Sequence, residues 1–122
     1  MSTLKANVVQ SATGGATTLT DLYPARAWST FVGTGTVSIT VSGNVSSITD
    51  YGGGNYGINF SSAFGSSNYC ATGDAQTNDG YDGRGRHEPE SYSTSQVRIW
   101  TCAIRNIQSA QDSPRVMTTV TL

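Results

Sequence analysis

The chain has 122 residues, which is enough for one domain and too few for two domains with separate cores. Ser, Thr and Gly account for 47 of them, and these residue types form helices poorly, which excludes a helical bundle. Charged residues make up only 12%, and seven Lys and Arg are balanced by eight Asp and Glu. This balance excludes a basic nucleic-acid-binding domain and argues against a disordered chain.

The first 24 residues are polar, contain a Gly14-Gly15 break and end at Pro24. They are predicted to form an extended arm, with one weak strand near Thr3–Gln10. The start of the chain has no basic region followed by an apolar run, so no secretory signal is expected. No stretch of the sequence is long and apolar enough to predict a transmembrane helix.

Alternation with a period of two dominates the rest of the chain. In Val37–Ser42, apolar residues alternate with Ser and Thr, so one face of the predicted strand is apolar and the other carries hydroxyl groups. Turn signals at 33–35, 42–44 and 50–55 separate such segments. Their spacing predicts an all-β fold, an antiparallel β-sandwich of jelly-roll-like type, over residues 25–122. The predicted strands are Ala25–Val32, Val37–Ser42, Asn44–Thr49, Tyr56–Ser61, Asn68–Thr72, Val97–Ile104 and Val116–Leu122.

Residues 73–95 interrupt this alternation, since they form a long polar segment that contains four glycines and Pro89. A loop longer than about 12–15 residues in a compact domain is usually functional or disordered. The segment holds the densest charge of the chain, and it also holds tyrosines and arginines, which recognition surfaces favour. It is therefore predicted to be a recognition loop, and the alternative is a loop tip with no partner. The candidate receptor-binding residues are Asp79, Tyr81, Asp82, Arg84, Arg86, His87, Glu88 and Tyr92.

The motifs that would indicate an enzyme or a cofactor site lack their structural context. Residues 52–57 satisfy G-x-G-x-x-G, but a predicted strand follows them instead of a helix, so they predict a hairpin turn. The single histidine, His87, is not accompanied by a Gly-x-Ser-x-Gly elbow. We therefore predict no enzyme and no cofactor. The acidic residues Asp79, Asp82, Glu88 and Glu90 do not lie on predicted strands, where glycosidase carboxylates are normally held.

Metal ligation is not predicted either. The oxygen ligands of the polar segment could hold Ca²⁺ loosely, but the spacing of an EF-hand is absent. No Cys and His spacing indicates zinc. The oxygen ligands concerned are Asp74, Asn78, Asp79 and Asp82.

The apolar content of the chain is low, because Leu, Ile, Val and Phe number only 22. A single protomer is therefore expected to have a thin core and to gain stability from oligomerisation. Cys70 and Cys102 are predicted to be reduced thiols, and a disulfide between them would require adjacent strands. The candidates for apolar contacts in the core or between protomers are Trp28, Phe31, Trp100 and Ile104.

One set of residues between positions 27 and 69 forms a specific pattern. It consists of Ala27-Trp28, Phe31, Gly33-Thr34-Gly35-Thr36-Val37, Asn44-Val45-Ser46-Ser47-Ile48-Thr49-Asp50, Gly54, Tyr56, Phe60 and Asn68-Tyr69. The pattern resembles the small knob-type β domain found at the C-termini of tail fibres and in other virion structural proteins of tailed phages. The resemblance implies a β-sandwich knob, trimeric, at an exposed end of the particle where it meets the host surface.

From this resemblance we expect a virion structural protein, a trimeric tail-fibre or spike knob assembled in the host cytoplasm. Its residues 1–24 would anchor it to other virion proteins, since an arm of this length is not a reaching fibre. The predicted loop would contact a host surface glycan or protein, without nucleic acid and without membrane insertion. The alternative is a capsid decoration protein, a head spike or cement protein with no receptor role, and a polysaccharide depolymerase is the third hypothesis.

Overall fold

The computed structural model describes residues 25–77, 85–103 and 110–121, and these residues build one β-sandwich. The predicted arm and the weak strand near its start lie outside the described residues. No helix occurs within those three ranges, and so none that could span a membrane. The strands are β1 (Ala25–Val32), β2 (Ser38–Gly43), β3 (Val45–Gly52), β4 (Asn55–Phe60), β5 (Cys70–Ala75), β6 (Gly85–Tyr92), β7 (Gln96–Ala103) and β8 (Val116–Thr121).

The strands form two four-stranded antiparallel sheets, in the orders β2-β1-β8-β5 and β3-β4-β7-β6. The central pair of each sheet, β1–β8 and β4–β7, joins distant parts of the chain. In the sequence, β4 and β7 both lie between β1 and β8. At one side, Asn44 connects β2 of the first sheet directly to β3 of the second. At the other side, β5 packs against β6 and nearly closes the sandwich. The predicted all-β sandwich is confirmed.

The core lies between the sheets and follows the predicted alternation. Phe31, Val116 and Val120 point inward from the first sheet, while their neighbours along β1 and β8 are more exposed. The ring of Phe31 meets the ring of Tyr56 edge to face, with centroids 5.1 Å apart. The remaining members of the core cluster are Ala27, Val45, Ile58, Phe60, Ala71, Val97 and Ile99.

The glycine-rich segment at 52–54 forms the hairpin turn between β3 and β4, as predicted. All three glycines have positive φ, at 88°, 53° and 76°, a region that L side chains rarely enter. Asn44 also has a positive φ, of 53°. Its side chain donates to the carbonyl of Arg26 over 3.0 Å and accepts from the amide of Ser62 over 2.8 Å. These contacts hold the crossing from one sheet to the other.

The prediction of a continuous loop over residues 73–95 is wrong. Its first residues belong to β5, and residues 85–92 form β6 at the edge of the second sheet. An edge strand accommodates charged residues and a proline, because one of its sides needs no hydrogen-bonded partner. Pro89 lies at an irregularity in the pairing of β6 with β7, where the register shifts.

The predicted core and interface residues occupy three different environments. Phe31 is fully buried in the core. Trp28 lies on the outer face of the first sheet and is 40% exposed, and Trp100 lies partly exposed on the outer face of the second. Ile104 lies outside the described residues. Cys70 and Cys102 are free thiols on strands of different sheets, β5 and β7.

Candidate functional site

The residues predicted to bind a receptor do not form one cluster. Asp79, Tyr81, Asp82 and Arg84 lie outside the described residues, as do Asn78 and the rest of 78–84. The other four lie on β6, where alternation of side chains separates them. Arg86 and Glu88 point to the outer face of the second sheet, His87 points between the sheets, and Tyr92 lies at the far end of the strand.

The outer face of β6 and β7 carries a set of charged side chains around an indole ring. Glu88 forms an ion pair with Arg86 and lies directly across the strand pair from Trp100. Glu90 lies in the irregular part of β6, and its Oε2 is 3.5 Å from Nε of Arg98. An open pocket of about 470 Å³ is lined by Glu88, Pro89, Glu90 and Trp100. We call Arg86, Glu88, Glu90, Arg98 and Trp100 the β6–β7 face.

Charge on the β6–β7 face is balanced. Arg86 pairs with Glu88 along β6 and Arg98 pairs with Glu90 across the strands, so the formal charge of these four residues is zero. Their side chains remain between 39% and 56% exposed, so they can still bond to a molecule that approaches from solvent. Exposed ion pairs of this kind add little to stability. The arrangement is therefore better suited to contact than to holding the fold.

A row of hydroxyl and amide groups continues the β6–β7 face across β4 and β3. The guanidinium carbon of Arg98 lies 4.4 Å from the centre of the Tyr51 ring, a cation–π contact. The Tyr51 hydroxyl donates over 3.3 Å to Oε1 of Gln96, whose Nε2 donates over 2.6 Å to Oδ1 of Asn59. Nδ2 of Asn59 then donates to the hydroxyl groups of Ser47 and Thr49 over 3.0 and 2.9 Å. We call Tyr51, Gln96, Asn59, Ser47 and Thr49 the amide row.

Gly57 of β4 lies directly beneath the side chains of the amide row. A Cβ at Gly57 would lie 2.5 Å from Nε2 of Gln96 and 2.9 Å from a ring carbon of Tyr51. Any larger residue would push both side chains out of the row. The glycine thus lets the tyrosine ring and the amide lie flat against the sheet.

His87 belongs to the interior and not to the β6–β7 face. Its Nε2 lies 2.7 Å from Oγ1 of Thr118, while its Nδ1 is buried without a hydrogen-bond partner. Burial lowers the pKa of His87 below its usual value, against a smaller opposing effect of Asp74. Thr118 pairs across the strands with Ser29, whose hydroxyl is also buried without a partner. Thr118 is only 2% exposed, so a substrate cannot reach its hydroxyl group.

Tyr92 belongs to an aromatic cluster at the end of the sandwich. Its ring centre lies 5.2 Å from that of Tyr69, which also contacts Phe60 and Phe64. The Tyr69 hydroxyl donates to the carbonyls of Ser93 and Gln96. The cluster therefore fastens the segment between β4 and β5 to the β6–β7 hairpin, although Tyr92 itself stays 41% exposed.

The outer face of the first sheet has the opposite character. Trp28, Val41 and Met117 are large apolar side chains exposed to solvent, and they lie on three adjacent strands. Thr30 pairs with Val41 on one side and with Met117 on the other, so Val41, Thr30 and Met117 form one row across the sheet. We call Trp28, Thr30, Val41 and Met117 the apolar face.

The most informative site residues were assigned elsewhere by the sequence interpretation or left out of it. Trp100 was a candidate for the core or an interface, and Arg98, Tyr51, Gln96 and Asn59 were not candidates at all. The alternation of Val97 and Ile99 with Arg98 and Trp100 contained the signal, because it places the second pair on an outer face. Within the described residues, no cluster of His, Cys, Asp or Glu could hold a metal ion.

Comparison with known proteins adds no identification. A scan against protein-family models and searches of curated proteins and solved structures found no match to this chain.

Proposed function

We propose that this protein is a surface-recognition module of a phage particle, a trimeric tail-fibre or spike knob that contacts the host surface. The single observation that supports recognition most directly is the β6–β7 face, where ion-paired charges surround a partly exposed indole beside an open pocket. Aromatic and arginine side chains at an accessible pocket favour binding of a partner. The resemblance of residues 27–69 to phage knob domains supports the proposal that the protein is part of a phage particle.

Assembly into a trimer is the second part of the proposal. The apolar face gives the protomer a surface that benefits from contact with another protein, since Trp28, Val41 and Met117 remain 37–49% exposed. It lies on the sheet opposite the β6–β7 face, so protomers can associate and leave the recognition surface free. Residues 1–24 would then attach the knob to its neighbours in the virion.

A capsid decoration protein is the alternative function. The apolar face favours it, because the same side chains that suit contact between protomers also suit contact with shell subunits. In that case the β6–β7 face would have no receptor. Antibody labelling of particles distinguishes the two, since a recognition knob is expected on the tail or a spike and a decoration protein over the head.

Binding of the purified protein to cells of the particle's bacterial host tests the recognition role. We expect the fluorescently labelled protein to bind, and Trp100→Ala to reduce binding about tenfold. Tyr92→Ala is the matched control, because it removes an exposed aromatic ring at the far end of β6, outside the β6–β7 face. Binding near wild type in this variant would assign recognition to the β6–β7 face and not to the Tyr92 end of the strand, whereas equal losses in both variants would contradict the role of the face. Deleting residues 78–92 is unsuitable as a test because it would remove β6. A wild-type protein that does not bind cells would contradict the recognition role.

Light scattering tests the assembly. The chain has a mass of 12.8 kDa, and a trimer should give about three times that value. Met117→Asp places a charge in the apolar face and should produce monomers that keep their β structure by circular dichroism. A wild-type protein that remains monomeric would contradict the trimer.

A further inference from the structure

We propose that the β6–β7 face binds a neutral oligosaccharide, with one sugar ring on Trp100 between Glu88 and Glu90 and the following units along the amide row. The proposal rests on the recognition function above and names its ligand class. It is carried by the pocket, by the pairing of its charges and by the chemistry of the neighbouring side chains.

The pocket suits a ring that is apolar on one side and polar at its edge. Trp100 supplies the flat apolar surface, and Glu88 and Glu90 line the pocket beside it. A volume of about 470 Å³ falls within the range of small-ligand sites. A pyranose ring presents C–H groups on its faces and hydroxyl groups around its rim. Its hydroxyl groups can donate to the carboxylates in charge-assisted hydrogen bonds while the ring covers the indole.

The charge balance selects a neutral ligand. An acidic sugar in the pocket would lie beside two carboxylates and be repelled by them. A cation over the indole would have to compete with Arg86 for Glu88 and with Arg98 for Glu90. A neutral sugar can bond to both carboxylates and leave each ion pair in place, so no charge loses its partner.

The amide row extends the site beyond one sugar ring. Gln96 and Trp100 are four residues apart on β7, a distance of about 13 Å along an extended strand. Gln96 keeps a second Nε2 hydrogen, and the amide oxygens of Gln96 and Asn59 can each accept one more hydrogen bond, whereas both Nδ2 hydrogens of Asn59 are used within the row. Their mutual hydrogen bonds and the contact with Tyr51 fix both amides before a ligand arrives. The length of the row favours an oligosaccharide over a monosaccharide.

A printed array of bacterial-surface oligosaccharides that includes neutral, acidic and amino-sugar classes tests the proposal, with the intact chain as the probe protein. We expect binding to be confined to neutral oligosaccharides. Trp100→Ala and Glu88→Gln should weaken binding to the same array positions about tenfold, whereas Tyr92→Ala should leave it unchanged. Thermal unfolding of each variant confirms that its fold is retained.

A second variant tests whether the oligosaccharide extends from Trp100 along the amide row. Gln96→Ala should weaken binding of a neutral trisaccharide found on the array several-fold and leave binding of its terminal monosaccharide unchanged, measured by titration calorimetry. Equal loss for both sugars would contradict the extended site. Binding confined to acidic or amino sugars, or to no sugar, would overturn the proposal. If such a protein still binds host cells through Trp100, the recognition function stands and only the ligand class fails. Failure to bind cells would instead remove the recognition function itself.

Discussion

The hydroxyl group of Tyr56 donates a 2.9 Å hydrogen bond to the carbonyl of Gly33, and this bond ties β4 of one sheet to the end of β1 in the other. The same oxygen accepts from the amide of Ser113 over 3.2 Å, and a carboxylate oxygen of Asp112 lies 3.3 Å away. Gly33 has no room for a side chain, because a Cβ there would collide with the phenol ring. The fully buried Tyr56 thus joins β4, the end of β1 and the segment at residues 112–113 at this end of the sandwich.

Removing this hydroxyl should destabilise the fold without changing the core. Tyr56→Phe keeps the edge-to-face contact with Phe31 but leaves the Ser113 amide and the Gly33 carbonyl without this partner. We expect the free energy of unfolding to fall by about 1–3 kcal/mol, measured by urea denaturation. Tyr51→Phe removes an exposed hydroxyl and should cost less than about 0.5 kcal/mol. Equal losses in the two variants would contradict the role given to Tyr56.

Alkaline pH should unfold the protein partly through the same residue. Burial raises the pKa of Tyr56 to about 12, with further contributions from Asp112 and Asp50 and an opposing hydrogen bond from Ser113. The folded state therefore holds the phenolic proton more tightly than the unfolded state, whose pKa is about 10. Stability from this group is complete below pH 10 and is lost as the pH rises towards 12. Urea denaturation at pH 9 and pH 11 should show this loss in the wild type and a smaller loss in Tyr56→Phe. A loss of the same size in both proteins would assign the effect to other groups, including Tyr69, whose pKa burial also raises.

Mild acid should destabilise the protein through His87. Burial lowers the pKa of His87, whose Nε2 bonds to Thr118 of β8 and whose ring lies against Gly73 of β5, while the charge of Asp74 opposes the shift. The unfolded state therefore takes up a proton at a higher pH than the folded state does. Stability is complete above about pH 6.5 and falls as the pH drops from there towards the lower pKa of the folded state.

The chain contains no other histidine, so this effect can be isolated. Urea denaturation between pH 7.5 and pH 5.5 should show a steady decline in the free energy of unfolding for the wild type. His87→Gln should flatten this slope whatever its effect on stability at pH 7.5. An unchanged slope in the variant would show that His87 is not buried in its neutral form.

The sequence predicted seven strands because alternation reports burial on one side of a sheet. β1 begins and ends at the predicted residues, and the others are shifted by a few residues at most. β6 could not be predicted in the same way. It has charged residues at 86, 88 and 90 and a proline at 89, and its one inward-facing polar residue, His87, bonds to a threonine that is distant in sequence.

The site was predicted only in part, for a related reason. Arg86 and Glu88 were candidates because they lie in a charged segment, but their relation to Trp100 depends on the register of β6 against β7. That register contains an irregularity at Pro89–Ser91, which brings Glu90 to Arg98. Nothing in the local sequence specifies how two strands align across such an irregularity.

In the turn between β3 and β4, two neighbouring glycines both have a strained backbone conformation, but only one of them is also crowded by a neighbouring segment. Gly53 and Gly54 both have positive φ, but a Cβ at Gly53 would meet open space. A Cβ at Gly54 would instead press on the backbone of Gln111, with its amide nitrogen 2.6 Å away. Gly54 is also fixed by its neighbours, since its amide donates to Asp112 over 2.8 Å and its carbonyl accepts from the amide of Thr101 over 2.8 Å.

Alanine at these two positions should therefore have different costs. Gly53→Ala should lower the free energy of unfolding by about 1 kcal/mol, from strain alone. Gly54→Ala should lower it by about 2–4 kcal/mol, because displacement of the Gln111 backbone is added to the strain. Gly53→Asn should be near wild type, since asparagine tolerates this backbone region. Urea denaturation of the three variants measures the differences, and equal costs for the two alanines would mean that the segment around Gln111 does not pack on the turn.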